Sequence, residues 1–166
     1  MHLKKIFTFL FLFAFTFQAS ANTPRSTGKY KNWESFSAET EKGKICFAQS
    51  VPTKRAPGSI KREASRIFVT FRPNENVLDE ISITSGHLYK ASSVTAKSGK
   101  NKFAFFSQDS FAWLLDNKEE QKFIKLMKRA TNLIIIARTS KGAETTDHYS
   151  MMGFTKAYNT AKKTCS

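Results

Sequence analysis

Asp147, His148 and Ser150 fall within four positions of one another and supply the residue types of a nucleophilic hydrolase. In that chemistry a histidine takes the proton of a serine hydroxyl while a carboxylate orients the imidazole. The segment Glu144 to Met151 reads as a strand, along which successive side chains point to opposite faces. His148 and Ser150 then share a face, and Asp147 points away from the neighbour it would have to orient. No G-x-S-x-G elbow or oxyanion motif accompanies them. His87, after Gly86 in a turn, reads as a surface residue. H-E-x-x-H, C-x-x-C and P-loop patterns are all missing, so metal, redox and nucleotide chemistry lack their usual residues. The adjacent pairs Asp79-Glu80 and Glu119-Glu120 read as solvated charge rather than as acid–base couples. No catalytic residue, metal or cofactor is therefore expected. A site assembled across strands leaves no local motif, and a small hydrolase using His148 and Ser150 stands as the alternative.

Binding is better represented than catalysis. The chain carries a formal charge of +14, with Lys54, Arg55, Lys61, Arg62, Lys97, Lys100 and Lys102 as a candidate basic surface. Lysine outnumbers arginine, which favours salt-sensitive attraction to anionic material over bidentate reading of bases. Phe103, Phe105, Phe106, Phe111 and Trp113 lie near Lys97, Lys100 and Lys102, and aromatics interleaved with lysines can stack nucleic-acid bases. Alternating phenylalanines in a β domain more often build its core, which is the reading taken here.

The N-terminus suggests where such binding would occur. Lys4 and Lys5 precede an apolar run from Ile6 to Phe17, and Gln18-Ala19-Ser20-Ala21 follows as a small-residue box. That order is a secretory signal peptide cleaved after Ala21. The run is too short for the roughly 20 residues that span a bilayer. Removing its two lysines leaves +12 on the mature chain. In an oxidising compartment Cys46 and Cys165, the only cysteines, would pair and close a loop of about 119 residues.

The elements that must hold these residues are mostly short strands. Residues 22–29 are polar and Pro/Gly-punctuated, and should form a flexible N-terminus ahead of a single β domain over 30–166. Trp33–Glu39 and Ile45–Ala48 flank a Glu41–Lys44 turn, and Pro52–Arg62 reads as an exposed loop. Ile67, Val69 and Phe71 alternate cleanly, as do residues 80–84. Ser98-Gly99-Lys100-Asn101 marks a hairpin, and Phe111–Leu114 another short strand. Phe123, Ile124, Met127 and Ala130 form the stripe of an amphipathic helix over about 116–130, with Asp116 and Glu119 at capping-box spacing. Leu133–Ala137 is apolar on both faces and should be a central strand covered on each side. A short C-terminal helix over Gly153–Lys163 would present Phe154, Ala157, Tyr158 and Ala161. Eight or nine strands with one or two helices give a mostly β fold, an antiparallel sandwich or barrel.

Several segments taken in order resemble the invasion-associated locus B family of alphaproteobacterial exported proteins. They are Trp33, Cys46-Phe47, Ile67-Phe68-Val69-Thr70-Phe71-Arg72-Pro73, Asp79-Glu80-Ile81-Ser82 with Gly86, Phe103, Ala112-Trp113 and Met127-Lys128. The C-terminal part adds Thr139-Ser140-Lys141-Gly142, Thr145-Thr146-Asp147-x-Tyr149-Ser150, Gly153-Phe154 and Cys165. The resemblance implies a periplasmic or outer-surface protein with a β-sandwich-like domain, in a family named for host-cell entry, with no agreed enzymatic activity. His148 departs from the family pattern. The expected function is a non-enzymatic exported protein whose basic surface meets anionic envelope or host material. A secreted effector engaging a host protein is a further alternative, and nucleic acid is not an expected partner.

Overall fold

Eleven strands pair into one antiparallel sheet in the computed structural model, which describes residues 23–166. The expected signal peptide and its expected cleavage after Ala21 lie outside the described residues. In chain order come β1 (Arg25–Tyr30), β2 (Trp33–Thr40), β3 (Gly43–Ser50), β4 (Lys54–Ala56), β5 (Arg66–Arg72) and β6 (Val77–Thr84). β7 (Val94–Ser98), β8 (Asn101–Gln108) and β9 (Phe111–Trp113) precede helix α1 (Asn117–Arg129). β10 (Asn132–Arg138), β11 (Glu144–Ser150) and helix α2 (Phe154–Thr164) complete the chain. Across the sheet the order is β1-β2-β3-β5-β6-β9-β8-β7-β10-β11-β4.

Alternation decides which side of each strand is covered. Ile67, Val69 and Phe71 of β5, Ile81 and Ile83 of β6, and Leu133, Ile135 and Ala137 of β10 point inward and are buried. These strands come from both halves of the sheet, yet their side chains share one core cluster. The sheet therefore curls around its own inner face. Phe123, Ile124 and Met127 of α1 and Phe154, Ala157, Tyr158 and Ala161 of α2 complete that core. Each fully buried large apolar side chain contributes about 1.5–3 kcal/mol. The apolar stripes expected for both helices are the faces they bury.

Local chemistry sets the ends of these elements. The Asp116 carboxylate accepts the Glu119 N–H at 2.8 Å, so aspartate caps α1 as its position suggests. The reciprocal half of a capping box is missing, because the Glu119 carboxylate pairs with Lys122 at 2.7 Å. Cys46 of β3 is bonded to Cys165 just past α2, with Cα atoms 5.8 Å apart. The bridge closes 119 residues and ties α2 to the sheet, worth roughly 4–5 kcal/mol on the chain-entropy account.

Three expectations are corrected. The flexible segment expected over 22–29 becomes strand β1 from Arg25, paired with β2 from Arg25↔Ser37 to Tyr30↔Trp33. Gly28 sits at a register shift rather than in a frayed tail, and Thr27 Oγ1 donates to Ser35 Oγ. Backbone pairing orders this polar segment without any apolar periodicity. Within the expected loop 52–62, Lys54–Ala56 forms β4, antiparallel to β11. β10 is central in its half of the sheet but covered on one face only, since Ile134 and Ile136 face outward and are half-buried.

Candidate functional site

The register of five strands aligns charges that are scattered in the sequence. Lys54 of β4 lies opposite His148 of β11, which lies opposite Ile134 of β10. Ile134 in turn faces Lys97 of β7, and Lys97 faces Lys102 of β8. Directly opposed residues of antiparallel strands share a face, so these five side chains form one outward row. At about 4.7–4.9 Å per strand the row spans roughly 19 Å. Lys54, Lys97 and Lys102 are exposed, and Lys100 sits in the β7–β8 turn at the same end. The neighbouring row is Ala56, Thr146, Ile136, Thr95 and Ala104, short side chains that leave the lysines standing free. Neither row contains a carboxylate. Positive charge on such a face is little screened at short range. Lys61 is exposed on the loop after β4.

The two arginines named with this surface behave differently. The Arg62 side chain is only 2% exposed and grips Asp147 through two contacts of 2.6 and 2.9 Å. It also donates to the Ser85 carbonyl at 3.1 Å. Arg55 Nη2 donates to the Glu63 carbonyl at 2.5 Å, and its Nε lies 4.0 Å from Asp147. Arg62 is thus removed from the basic surface. The cause is Asp147, an inward-facing carboxylate of β11 that requires a buried counter-charge. The pair draws the loop after β4 down onto the sheet. Gly86 takes a positive φ of 73° there, and a Cβ would collide with the Glu63 backbone.

Around the pair lie further polar groups. His87, expected at the surface, is half-buried, with Nε2 2.9 Å from Thr145 Oγ1 and Nδ1 3.0 Å from the Leu88 carbonyl. Burial lowers its pKa, the Leu88 carbonyl opposes that shift, and Arg62 adds to it. Tyr89 is pushed up to about 12 by burial, against the hydrogen bond to Ser85. Tyr149 is raised well above the usual phenol range by burial, and its hydroxyl has no partner among the described residues.

His148 and Ser150 share a face, as alternation requires, but no hydrogen bond joins them among the described residues. Ser150 Oγ instead accepts the Met152 N–H at 3.2 Å. Asp147, on the opposite face, is committed to Arg62. The three residues therefore do not assemble a proton relay. Among the described residues no group of three or more His, Cys, Asp or Glu side chains could hold a metal ion.

The aromatic cluster divides between the two sides of β8. Phe105 is buried, and Phe103 packs edge-on against Phe123 at 5.0 Å. Phe106 and Phe111 point outward, stacked on Trp113 at 5.6 and 6.0 Å.

Asp79 and Glu120, expected as solvated charge, instead build a second polar junction where α1 and α2 meet β6, because both carboxylates accept hydrogen bonds inside the fold. Asp79 is 4% exposed at a positive φ of 67°, and accepts Tyr158 Oη at 2.5 Å and Gln121 Nε2 at 2.6 Å. Burial raises the Tyr158 pKa, reinforced by Asp79. Glu120 accepts the Ile81 N–H at 3.3 Å and is pushed up to about 7 by burial, with Glu80, Asp79 and Asp116 adding to the rise. The available signal was Leu78-Asp79, where polarity inverts: Leu78 is 55% exposed and Asp79 is inside.

No family model matches the chain, and neither the curated proteins nor the solved structures contain a match to it.

Proposed function

We propose that this is an exported, non-enzymatic binding protein whose basic row meets anionic envelope or host material. The observation that carries the reading is the register itself, which sets Lys54, Lys97 and Lys102 in one carboxylate-free row across five strands. Lysines so placed suit phosphate- and carboxylate-bearing polymers or head groups, whose attraction is strong at low salt and screened beyond about 8 Å at physiological ionic strength. The apolar N-terminal run and the Cys46–Cys165 bond both fit a route into an oxidising compartment, the periplasm or beyond it. Among the described residues no helix is long and apolar enough to cross a membrane. The ordered resemblance to the invasion-associated locus B family supports the same reading, through the Ile67–Pro73 and Thr145–Ser150 segments above all.

The test is retention on heparin and on phosphatidylglycerol vesicles, followed as salt is raised. Reversing Lys54, Lys97 and Lys102 to Glu should release the protein at lower salt than reversing the exposed Lys29, Lys156 and Lys163. The two triple variants change net charge equally. Equal shifts would refute the row, and failure of the parent protein to bind either matrix at low salt would refute the reading.

A further inference from the structure

The other half of the sheet turns a different surface outward. Phe36 of β2 lies opposite Phe47 of β3, their rings stacked at 5.2 Å, and Phe47 meets Phe68 of β5 edge-on at 6.0 Å. Phe68 lies opposite Ser82, Ser82 opposite Trp113, and Trp113 opposite Phe106. A band of aromatic rings thus occupies five of six neighbouring strands on the side away from the core, broken by Ser82 on β6. An outward sheet face ordinarily alternates to polar residues, and a contiguous apolar patch on a monomer marks a binding surface. Phe106 and Phe111 are 41% and 38% exposed. Between Phe111 and Phe68 lies an open depression of about 340 Å³ floored by Phe47, Phe68, Phe111 and Trp113. Its size falls within the roughly 300–1,000 Å³ usual for small-ligand sites.

We infer that this depression binds a neutral glycan, one pyranose ring seated on the aromatic floor. The polar groups that line it distinguish this occupant from others. Arg72 and Glu80 form a fork-on-fork pair at 2.9 and 3.1 Å, and Arg72 Nε lies 3.4 Å from Glu75. Lys42 Nζ lies 3.9 Å from the same Glu75, so two cations and two carboxylates cancel here and offer a phosphate backbone no net attraction. A wholly apolar partner would strand the Arg72–Glu80 pair and the Thr70 hydroxyl without compensation. A pyranose satisfies both demands. Its C–H face packs on a ring, and its rim hydroxyls donate to Glu80 and accept from Arg72.

The site carries its own reporter. Trp33 is buried at 1% with Nε1 bonded to the Ser150 carbonyl, so a ligand-induced change in tryptophan emission reads Trp113. Titration with cellohexaose and with hexa-N-acetylchitohexaose should give a saturable emission change with at least one, insensitive to added salt. By calorimetry, Phe111→Ala and Trp113→Ala should each weaken that binding about fivefold to tenfold, the loss of one aromatic contact. Both variants are checked for parental melting, and Phe111→Ala removes an exposed ring outside the core. The Lys54, Lys97 and Lys102 reversal should leave glycan affinity unchanged, which separates failure here from failure of the polyanion reading. The inference is overturned by the absence of saturable binding to either oligosaccharide, or by unchanged affinity in aromatic variants that melt normally. Salt-sensitive quenching of Trp113 by oligo(dT) would reassign the band to single-stranded nucleic acid. A concentration-dependent dimer abolished by Trp113→Ala would reassign it to a second copy of the chain.

Discussion

The two outward faces of one continuous sheet have opposite chemistry. On β4, β11, β10 and β7 the face is lysine, threonine and isoleucine, closed at one end by the exposed Arg138–Glu144 pair; on β2, β3, β5, β6 and β9 it is phenylalanine and tryptophan around the Arg72–Glu80 pair. They meet on β8, whose outward residues run from Lys102 through Ala104 to Phe106 within a single strand. The inward faces are alike, since both halves feed one core. Burial therefore dictates inner residues in the same way everywhere, while the outer residues are free to differ. Their difference is where function can be read. The halves are also fastened differently: a buried ion pair holds the loop beside the basic face, and a disulfide holds α2 against the aromatic half.

The comparison is broken most severely by removing a partner of the buried pair. Arg62→Ala strands the Asp147 charge and should cost about 3–5 kcal/mol, read as a fall in the urea midpoint. Replacing both residues with leucine should recover much of that loss, because the penalty comes from an uncompensated charge. If the single and double variants are equally destabilised, the pair has no special hold on the loop. Next in size is the bridge. Replacing Cys46 and Cys165 together by alanine should cost roughly 2–5 kcal/mol by the same measurement, the chain-entropy figure being the upper end, while leaving the basic row on heparin unaltered. Altered heparin retention in a fully folded double variant would show that the two fastenings are not independent.

The smallest expected effect sharpens the contrast at the α1–β6 junction. Glu120 has its folded-state pKa raised to about 7 by burial, above its usual 4.5. The folded protein thus binds this proton more tightly than the unfolded chain does. The contribution is fully present below about pH 4.5 and is lost as pH rises toward 7. Glu120→Gln keeps an acceptor for the Ile81 N–H and removes the charge, so it should raise the melting temperature at pH 8 and leave it nearly unchanged at pH 4. An equal change at both values would mean that the carboxyl is fully solvated.

Local periodicity carried a good part of this architecture. The β7–β8 hairpin, the inward Ile67, Val69 and Phe71, the Asp116 cap and the stripe on α2 all announce themselves within a dozen residues. β1 does not, because its order comes from pairing with β2 rather than from a hydrophobic pattern of its own. Arg62 could not be recognised as buried, since its partner lies 85 residues away. The basic row was equally hidden. Lys54, Lys97 and Lys102 were candidates individually, but their common face depends on the register of four strand pairs. Phe106 shows the limit of composition: it belongs to the same run as Phe105, and only the pleat sends it the other way.

The two ends of the strand order carry one more consequence. β4 has only three residues, lies between Pro52 and Pro57, and carries Lys54 and Arg55. β1, at the other end, is interrupted between Ser26 and Gly28 and carries Arg25 and Lys29. Free sheet rims invite copies of a protein to zip together, and short, bulged, cationic rims discourage it. These rims keep copies of the chain at high local concentration from zipping edge to edge into a fibre.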